Sequence, residues 1–526
     1  RLDEQCEIIL LEKGKYVSFA NCGLPYYLGG AITDRSKLLV QTPEGLRSLL
    51  NIDVRVLCEV EKIDKHQKSV WVRNHTSGEN FEIAYDELVL ATGSVPLIPP
   101  IPGIDSPRHH SLRTIDDMDA IYQELSRVSS VAVVGGGYIG VEAAEQLSER
   151  GLKVSLVEAA PHILAPFDSD MVVMLEDKLS SHGIELFLGD AVQSFEEKDS
   201  VSVLHLHSGI QIEAGLVILA IGGRPAAQLA REAGLELGDF GGVRVSEQLK
   251  TSDTHIWAAG DSIEVLDPVT NQFAYVPLAG PANRQGRIIA DNLCGIKSSY
   301  KGSIGTAVIK VFDLCAACTG ANESKLKKSG IAYRKVYLHP NSHAGYYPGA
   351  SKIAFKLLFE EGSGRVLGAQ AIGAEGADKR IDVIATAIKA NFTIDDLVDL
   401  ELCYAPPFGS AKDPVNIAGM VAQNVMRGLV PTISWDELSS KALPERVLLD
   451  VRTTMERDQG TIAGSIHIPI NELRDRLPEL PQGKEIVCFC ASGQRSALAC
   501  RMLLQHGFTC CNLSGAYFTW KPNQSF

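Results

Sequence analysis

Short apolar runs, a few residues long, alternate along this chain with longer stretches in which apolar residues return every three or four positions. That alternation predicts buried strands joined by amphipathic helices, the pattern of an α/β protein. A first block runs from Glu7-Ile-Ile-Leu-Leu-Glu12 to about Pro107, with further strand-like runs at Val70-Trp-Val72 and Glu87-Leu-Val-Leu-Ala91. Five prolines between Pro96 and Pro107 mark a connector, because proline interrupts both ladders and helices. A second block opens at Val131-Ala-Val-Val134 and closes near Leu216-Val-Ile-Leu-Ala220. A third spans residues 301–428, and after a connector at 427–431 the alternation restarts at Val447-Leu-Leu-Asp450.

Composition narrows the classes. At 526 residues, three to four domains are expected. Hydrophobic residues at 45% and charged residues at 22% exclude a disordered or fibrous chain. A net charge of −14 argues against nucleic-acid and anionic-membrane partners, which need a basic face. No apolar run approaches the roughly 20 residues that span a bilayer. Twelve cysteines are too sparse for a disulfide scaffold and suit a reducing cytoplasm. No signal-peptide pattern opens the chain, and a start at Arg1 rather than Met leads us to expect that N-terminal residues precede it.

The strongest local signal is Val131 to Glu158. A strand feeds Gly135-Gly136-Gly137-Tyr138-Ile139-Gly140, then a helical stretch, then a strand ending in Glu158. This is Gly-x-Gly-x-x-Gly inside a βαβ unit. Gly135 allows the tight turn, Gly137 lets a pyrophosphate approach the backbone, and Gly140 packs helix on strand. Glu158 suits a ribose 2′-hydroxyl and repels a 2′-phosphate, so NADH is expected over NADPH.

A second dinucleotide site is expected around the strand ending in Glu12, the strand ending in Ala91-Thr92-Gly93, and Thr251 to Asp261, which ends in Gly260-Asp261. The strand and glycine loop that should open this unit would precede Arg1, so the chain as given is expected to bind FAD poorly. The arrangement resembles the two-dinucleotide flavoprotein disulfide reductases. That resemblance implies FAD, with Glu12 at the adenosine ribose, Asp261 at the ribityl chain, and Thr92, Gly93 and Ala279 also lining the cofactor.

The stretch Ser18-Phe-Ala-Asn-Cys22-Gly-Leu-Pro-Tyr26 carries a single cysteine, since the position five residues on is Tyr27. A lone thiol does disulfide chemistry with another molecule's sulfur, or cycles through a sulfenic acid. This stretch is similar to the redox segment of coenzyme A disulfide reductases and related persulfide reductases, as are Leu402-Cys-Tyr404-Ala-Pro-Pro-Phe-Gly-Ser-Ala-Lys412-Asp413 and Ala344-Gly-Tyr346-Tyr347-Pro-Gly349. The resemblance covers residues 1–428. It implies that Cys22 is the redox thiol, that Arg1, Ser18, Asn21, Asn283 and Lys412 contact coenzyme A, and that Tyr346 and Tyr404 reach the thiol from the opposite subunit of a homodimer. Leu50 stands where the family can place a lysine, which leaves Arg47 as its substitute.

Other cysteines read as packing. Cys315-Ala-Ala-Cys318 has Cys-x-x-Cys spacing but no second ligand pair within zinc-finger distance, so no metal is expected. Cys6, Cys58, Cys294, Cys403, Cys500, Cys510 and Cys511 are read as structural too, and His109-His110 as solvated loop.

The C-terminal block has its own pattern. A strand Glu485 to Phe489 delivers Cys490-Ala-Ser-Gly-Gln-Arg495-Ser496, followed by a helical stretch. A thiol cradled by backbone N–H groups at a helix N-terminus is stabilised as thiolate or persulfide, with Arg495 closing the cradle. The block resembles rhodanese sulfurtransferases, through Leu448-Leu-Asp450-Val-Arg452, Gly460 to Pro469 and Leu513 to Trp520.

Together these readings predict two nested dinucleotide-binding domains, an α+β dimerisation domain and an α/β rhodanese domain. The expected boundaries are 1–111 and 229–300 for FAD, 112–228 for NAD, 301–428 for dimerisation and 432–526 for rhodanese. The expected reaction is NADH-driven, FAD-dependent reduction of coenzyme A disulfide, persulfide or polysulfide. The alternatives are an NADH oxidase or peroxidase working through a sulfenic acid, and a non-catalytic sulfur-carrying or redox-sensing dimer.

Overall fold

The computed structural model describes residues 2–440 and 446–524. The chain divides into two compact units, residues 1–164 with 179–305, and residues 165–178 with 306–526.

In the first unit, among the described residues, one parallel sheet runs in the order His109–Ser111, Leu216–Leu219, Ser130–Val134, Lys153–Glu158, Glu185–Leu188. Its central strand carries Val131, Ala132 and Val133, all but fully buried, as a strand covered on both faces requires. The register sets Val134 beside Leu219 and Val157, which gathers the carboxyl ends of three strands at one edge. The helix Tyr138–Glu149 leaves from that edge and lays Val141, Ala143, Ala144 and Leu147 against the unit's interior. Elsewhere in the unit, among the described residues, Ile8–Glu12 with Ile52–Val56 and Leu88–Leu90 with Ile256–Ala258 form two-stranded parallel sheets. The second pair brings the segment after the NAD-type sheet back to the first block of sequence. His109 corrects one expectation. It is a strand residue whose Nδ1 lies 2.9 Å from the Ile104 carbonyl and whose Nε2 lies 2.8 Å from Ser202 Oγ, not solvated loop.

The second unit holds two sheets among the described residues. An antiparallel one runs Ala307–Val311, Leu314–Gly320, Val366–Gly373, Ile353–Glu360, Tyr333–Leu338. A parallel one runs Thr432–Ile433, Cys510–Leu513, Glu485–Phe489, Arg446–Asp450, Ile466–His467. Residues 165–178 belong here because Lys356 draws them in. Its fully buried ammonium lies 2.8 Å from Asp168, 2.9 Å from Asp170 and 2.6 Å from Glu323. An unpaired ammonium in that position would cost several kcal/mol, so the carboxylates are obligatory partners. The two sheets meet through the segment after the last strand. Tyr337 N donates to Ser514 Oγ at 3.1 Å, His339 Nε2 lies 2.8 Å from Thr519 Oγ1, and Asn523 Nδ2 donates to the Asp170 carbonyl at 3.2 Å. Among the described residues no helix is long and apolar enough to cross a membrane.

Candidate active sites

The NAD-type loop shows why its glycines are there. Gly135 has φ +110°, and a Cβ on it would sit 2.3 Å from the Ala220 carbonyl oxygen. A Cβ on Gly140 would lie 1.9 Å from the Gly135 carbonyl, while around Gly137 the space is open. The loop thus leaves room for a pyrophosphate at the helix N-terminus. Glu158 turns its carboxylate onto this loop, accepting from Gly136 N at 2.6 Å and from Ala160 N at 2.7 Å. Glu12 behaves alike at the end of its own strand, accepting from Gly14 N at 2.6 Å.

Cys22 lies in the 3-10 turn Asn21–Gly23, exposed, just before the helix Leu24–Gly29, whose Leu24 and Leu28 are buried. Asn21 Oδ1 accepts from Cys22 N at 2.9 Å and lies 3.6 Å from its sulfur, so Asn21 shapes the turn. Although the residue is exposed, its sulfur is half-enclosed, and that desolvation, then the carboxylates of Glu142 and Asp261, push the Cys22 thiol up, while Arg113 opposes them. Glu142 is itself pushed up by burial and accepts from Tyr26 Oη at 3.1 Å. Asp261 accepts from Ser94 Oγ at 3.4 Å and has Arg113 Nη2 at 3.8 Å. Thr92 Oγ1 donates to the Ala226 carbonyl at 2.6 Å and the Gly93 carbonyl accepts from Ala226 N at 3.0 Å, so both residues are anchored to Ala226. Ala279 begins the helix Ala279–Leu293, whose N-cap Leu278 makes no side-chain hydrogen bond to it. That uncapped N-terminus, with open space at Gly280, fits the polar edge of a flavin beside Asp261.

Ser18, Asn21 and Asn283 belong to the first unit with Cys22, although Asn283 Nδ2 donates to the Ala279 carbonyl at 3.0 Å. Lys412, Tyr346 and Tyr404 belong to the second. Arg1 lies outside the described residues. Tyr346 and Tyr404 are exposed by 77% and 50%, and their hydroxyls are 3.0 Å apart. Tyr347 instead sets its ring edge-on to His343. The sequence reading missed Arg113, Glu142 and Tyr26. Glu142 and Tyr26 each had a signal, Glu142 as an acid two residues past Gly140 on the same helix and Tyr26 as the end of the Ser18–Tyr26 stretch.

Cys490 is buried. Gly493 N donates to its sulfur at 3.1 Å and Ser496 Oγ lies 3.4 Å away. Arg495 makes a two-pronged pair with Glu456, at 2.7 and 2.6 Å, which the sequence reading also missed. Those hydrogen bonds hold Glu456 down to about 2. Its signal was the capping box Thr453 to Glu456.

Among the other thiols, Cys315 and Cys318 sit three apart on one strand and so point to opposite faces, which rules out a redox pair between them. Cys6, Cys294 and Cys403 are exposed, so they are not packing residues as expected.

Over residues 1–286 the chain matches the family described as pyridine nucleotide-disulphide oxidoreductase, over 306–414 that family's dimerisation domain, and over 434–523 the rhodanese-like domain. Its structure is similar to that of reduced CoADR-RHD from Bacillus anthracis, with a TM-score of 0.97 and 48% identity over 99% of this chain and 94% of that one. It is also similar to an NAD-dependent persulfide reductase from A. fulgidus, with a TM-score of 0.93 and 38% identity over 99% of this chain and 96% of that one. The coenzyme A disulfide reductase of Staphylococcus haemolyticus is 35% identical over 428 residues, 81% of this chain and 95% of its own length.

Proposed function

Because the chain belongs to the pyridine nucleotide-disulphide oxidoreductase family and carries a rhodanese-like domain, we propose that it is an NADH-driven, FAD-dependent reductase of coenzyme A disulfide and persulfide, with sulfane sulfur handled at Cys490. The observation that carries this reading is the surroundings of Cys22. It is an exposed single thiol facing Glu142, Asp261 and Arg113, with Tyr27 where a second redox cysteine would stand. Bound FAD supplies a two-electron relay between nicotinamide and sulfur. Gly135, Gly137 and Gly140 seat the NADH pyrophosphate and Glu158 its ribose. Glu12, Thr92, Gly93, Asp261 and Ala279 hold the flavin nucleotide.

In this reading the Cys22 sulfur attacks one sulfur of coenzyme A disulfide, forming Cys22–S–S–CoA and expelling one coenzyme A thiolate. The Cys22 proton goes to the expelled thiolate, and two electrons from NADH with two protons then return the Cys22 thiol and free the second coenzyme A thiol. Ser18, Asn21, Asn283 and Lys412 are assigned to the coenzyme A moiety, with Arg1 at its phosphates. Tyr346 and Tyr404 share a hydrogen bond that poises one hydroxyl to protonate the departing thiolate, in a homodimer. Polysulfide is a further substrate of the same thiol. At Cys490 the N–H of Gly493 and the hydroxyl of Ser496 stabilise a negative persulfide sulfur.

The test is anaerobic NADH oxidation by FAD-loaded enzyme against coenzyme A disulfide and coenzyme A persulfide, set beside aerobic oxidation without either. We expect kcat/KM for a sulfur substrate to exceed that for oxygen by at least about tenfold. Oxygen as the best acceptor would establish the oxidase reading instead.

A further inference from the structure

Three more thiols lie in the core of the parallel-sheet domain, apart from the Cys490 cradle. Cys488 is on the strand Glu485–Phe489, Cys500 on the helix Gln494–Gln505, and Cys510 opens the strand Cys510–Leu513. The register sets Ile486 beside Cys510 and Cys488 beside Asn512, so Cys488 and Cys510 share one face of the sheet. Cys500 comes to that face from the helix. Its sulfur stands 3.2 Å from Cys510 Sγ, closer than two sulfurs in plain van der Waals contact.

The three thiols are not equivalent. Cys510 takes hydrogen bonds from Cys488 and then Cys500, and these hold it down to about 4. Cys500 is pushed up by sharing its proton with Cys510 and then by burial, and Cys488 is pushed up for the same two reasons. When protonated, Cys510 has an acceptor as well, the Cys500 carbonyl oxygen at 3.2 Å. The cluster therefore sets the Cys500 and Cys510 sulfurs side by side, with the shared proton drawn away from Cys510. Its neighbour Cys511 is paired with Val487 in the register and points to the other face.

We propose that Cys500 and Cys510 form a reversible disulfide when a hydroperoxide reaches the domain. The Cys510 thiolate attacks the peroxide oxygen and, with one proton taken up, gives Cys510 sulfenic acid and one water. The Cys500 sulfur then attacks the sulfenic sulfur. The S–O bond breaks, the Cys500 proton leaves with the hydroxide as a second water, and the S–S bond forms. Two thiols have lost two electrons and the peroxide has gained them. The sulfurs need to close by only about 1 Å to reach bonding distance.

Access is through the connection 506–509, where His506, Gly507 and Thr509 are exposed and which alone separates the helix end from Cys510. Reaching the buried sulfurs by this route requires local opening of the connection, wide enough for a water-sized oxidant. The bond would tie down the helix that delivers Ser496 to Cys490, because Ser496 is one turn before Cys500.

The test uses the full-length, FAD-loaded protein treated with hydrogen peroxide, alkylated, and digested with trypsin without reduction. Cleavage after Arg501 parts Cys500 from Cys510, so the disulfide appears as peptide 496–501 linked to the peptide that begins at Met502. We expect that link in peroxide-treated protein, its loss on addition of dithiothreitol, and alkylated Cys511 in the linked species. Cys488→Ala should keep the link, and Cys500→Ser and Cys510→Ser should lose it. Recovery of both Cys500 and Cys510 alkylated from protein whose Cys490 has been oxidised would overturn the proposal. So would a link that runs to Cys488 or Cys490 instead.

Discussion

At Cys22, burial and the carboxylates of Glu142 and Asp261 push the thiol up, and Arg113 pulls it down. Cys490 is surrounded by donors instead, Gly493 N–H and the Ser496 hydroxyl. In the function proposed above, the first sulfur exchanges and the second holds. Cys22→Ser should lower NADH-driven reduction of coenzyme A disulfide by at least about a thousandfold. Cys490→Ser should leave that rate within about twofold and remove thiosulfate sulfurtransferase activity. Equal damage from both substitutions in the reductase assay would refute the division. Coenzyme preference is a second matter of single residues. Glu158 is held by two backbone N–H groups and cannot swing aside from a 2′-phosphate. Glu158→Ala with Ala159→Arg should move the NADPH/NADH ratio of kcat/KM upward by about ten- to a hundredfold. Part of that change should come from a raised KM for NADH, because Gly136 N loses its acceptor. Wild-type enzyme that used both coenzymes equally would contradict the role given to Glu158.

The elements that matter most are those whose side chains leave the backbone no alternative. The strand Ser130–Val134 and the helix Tyr138–Glu149 meet at a point where only glycine fits, so Gly140→Ala should cost about 1–3 kcal/mol and weaken NADH binding more than disulfide binding. Thermal unfolding and nicotinamide titration of that variant measure both parts. This junction was legible in the sequence because strand, glycine spacing and terminal acid are all local. So was the Cys490 cradle, read from a strand, a Cys-to-Arg loop and a helix in immediate succession. The surroundings of Cys22 were not. Arg113, Glu142 and Asp261 come from three distant segments, and no spacing rule joins them. The cluster of Lys356 with Asp168, Asp170 and Glu323 was equally hidden, since a charged residue in an apolar strand reads as a solvated face until its partners are seen. Cys315 and Cys318 show the converse case. Their Cys-x-x-Cys spacing is the one a redox pair would use, and the two-residue period of the strand that holds it forbids one.

Across the second unit as a whole, the rhodanese-like domain is seated rather than tethered. His339 lies in that seat against Thr519, and burial pushes it down to about 4. A histidine buried neutral resists protonation in the folded state, so its contribution is complete above an unfolded value of about 6.5 and is lost as pH falls from there toward about 4. Thermal stability should therefore fall between pH 7 and pH 4.5, and His339→Gln should reduce that fall. An unchanged pH dependence in the variant would assign it to other groups. The same seat bears on how the chain can be taken apart. Asn523 donates a hydrogen bond to the Asp170 carbonyl and Ser514 accepts one from Tyr337 N, groups that lie outside the rhodanese-like domain. Cutting the chain at the 427–431 connector would strip the acceptor from a buried backbone N–H and lay open the face that carries Tyr337 and His339. A fragment made that way would be a wounded reductase, not a reductase lacking one activity, and point substitution is the only clean way to dissect the two.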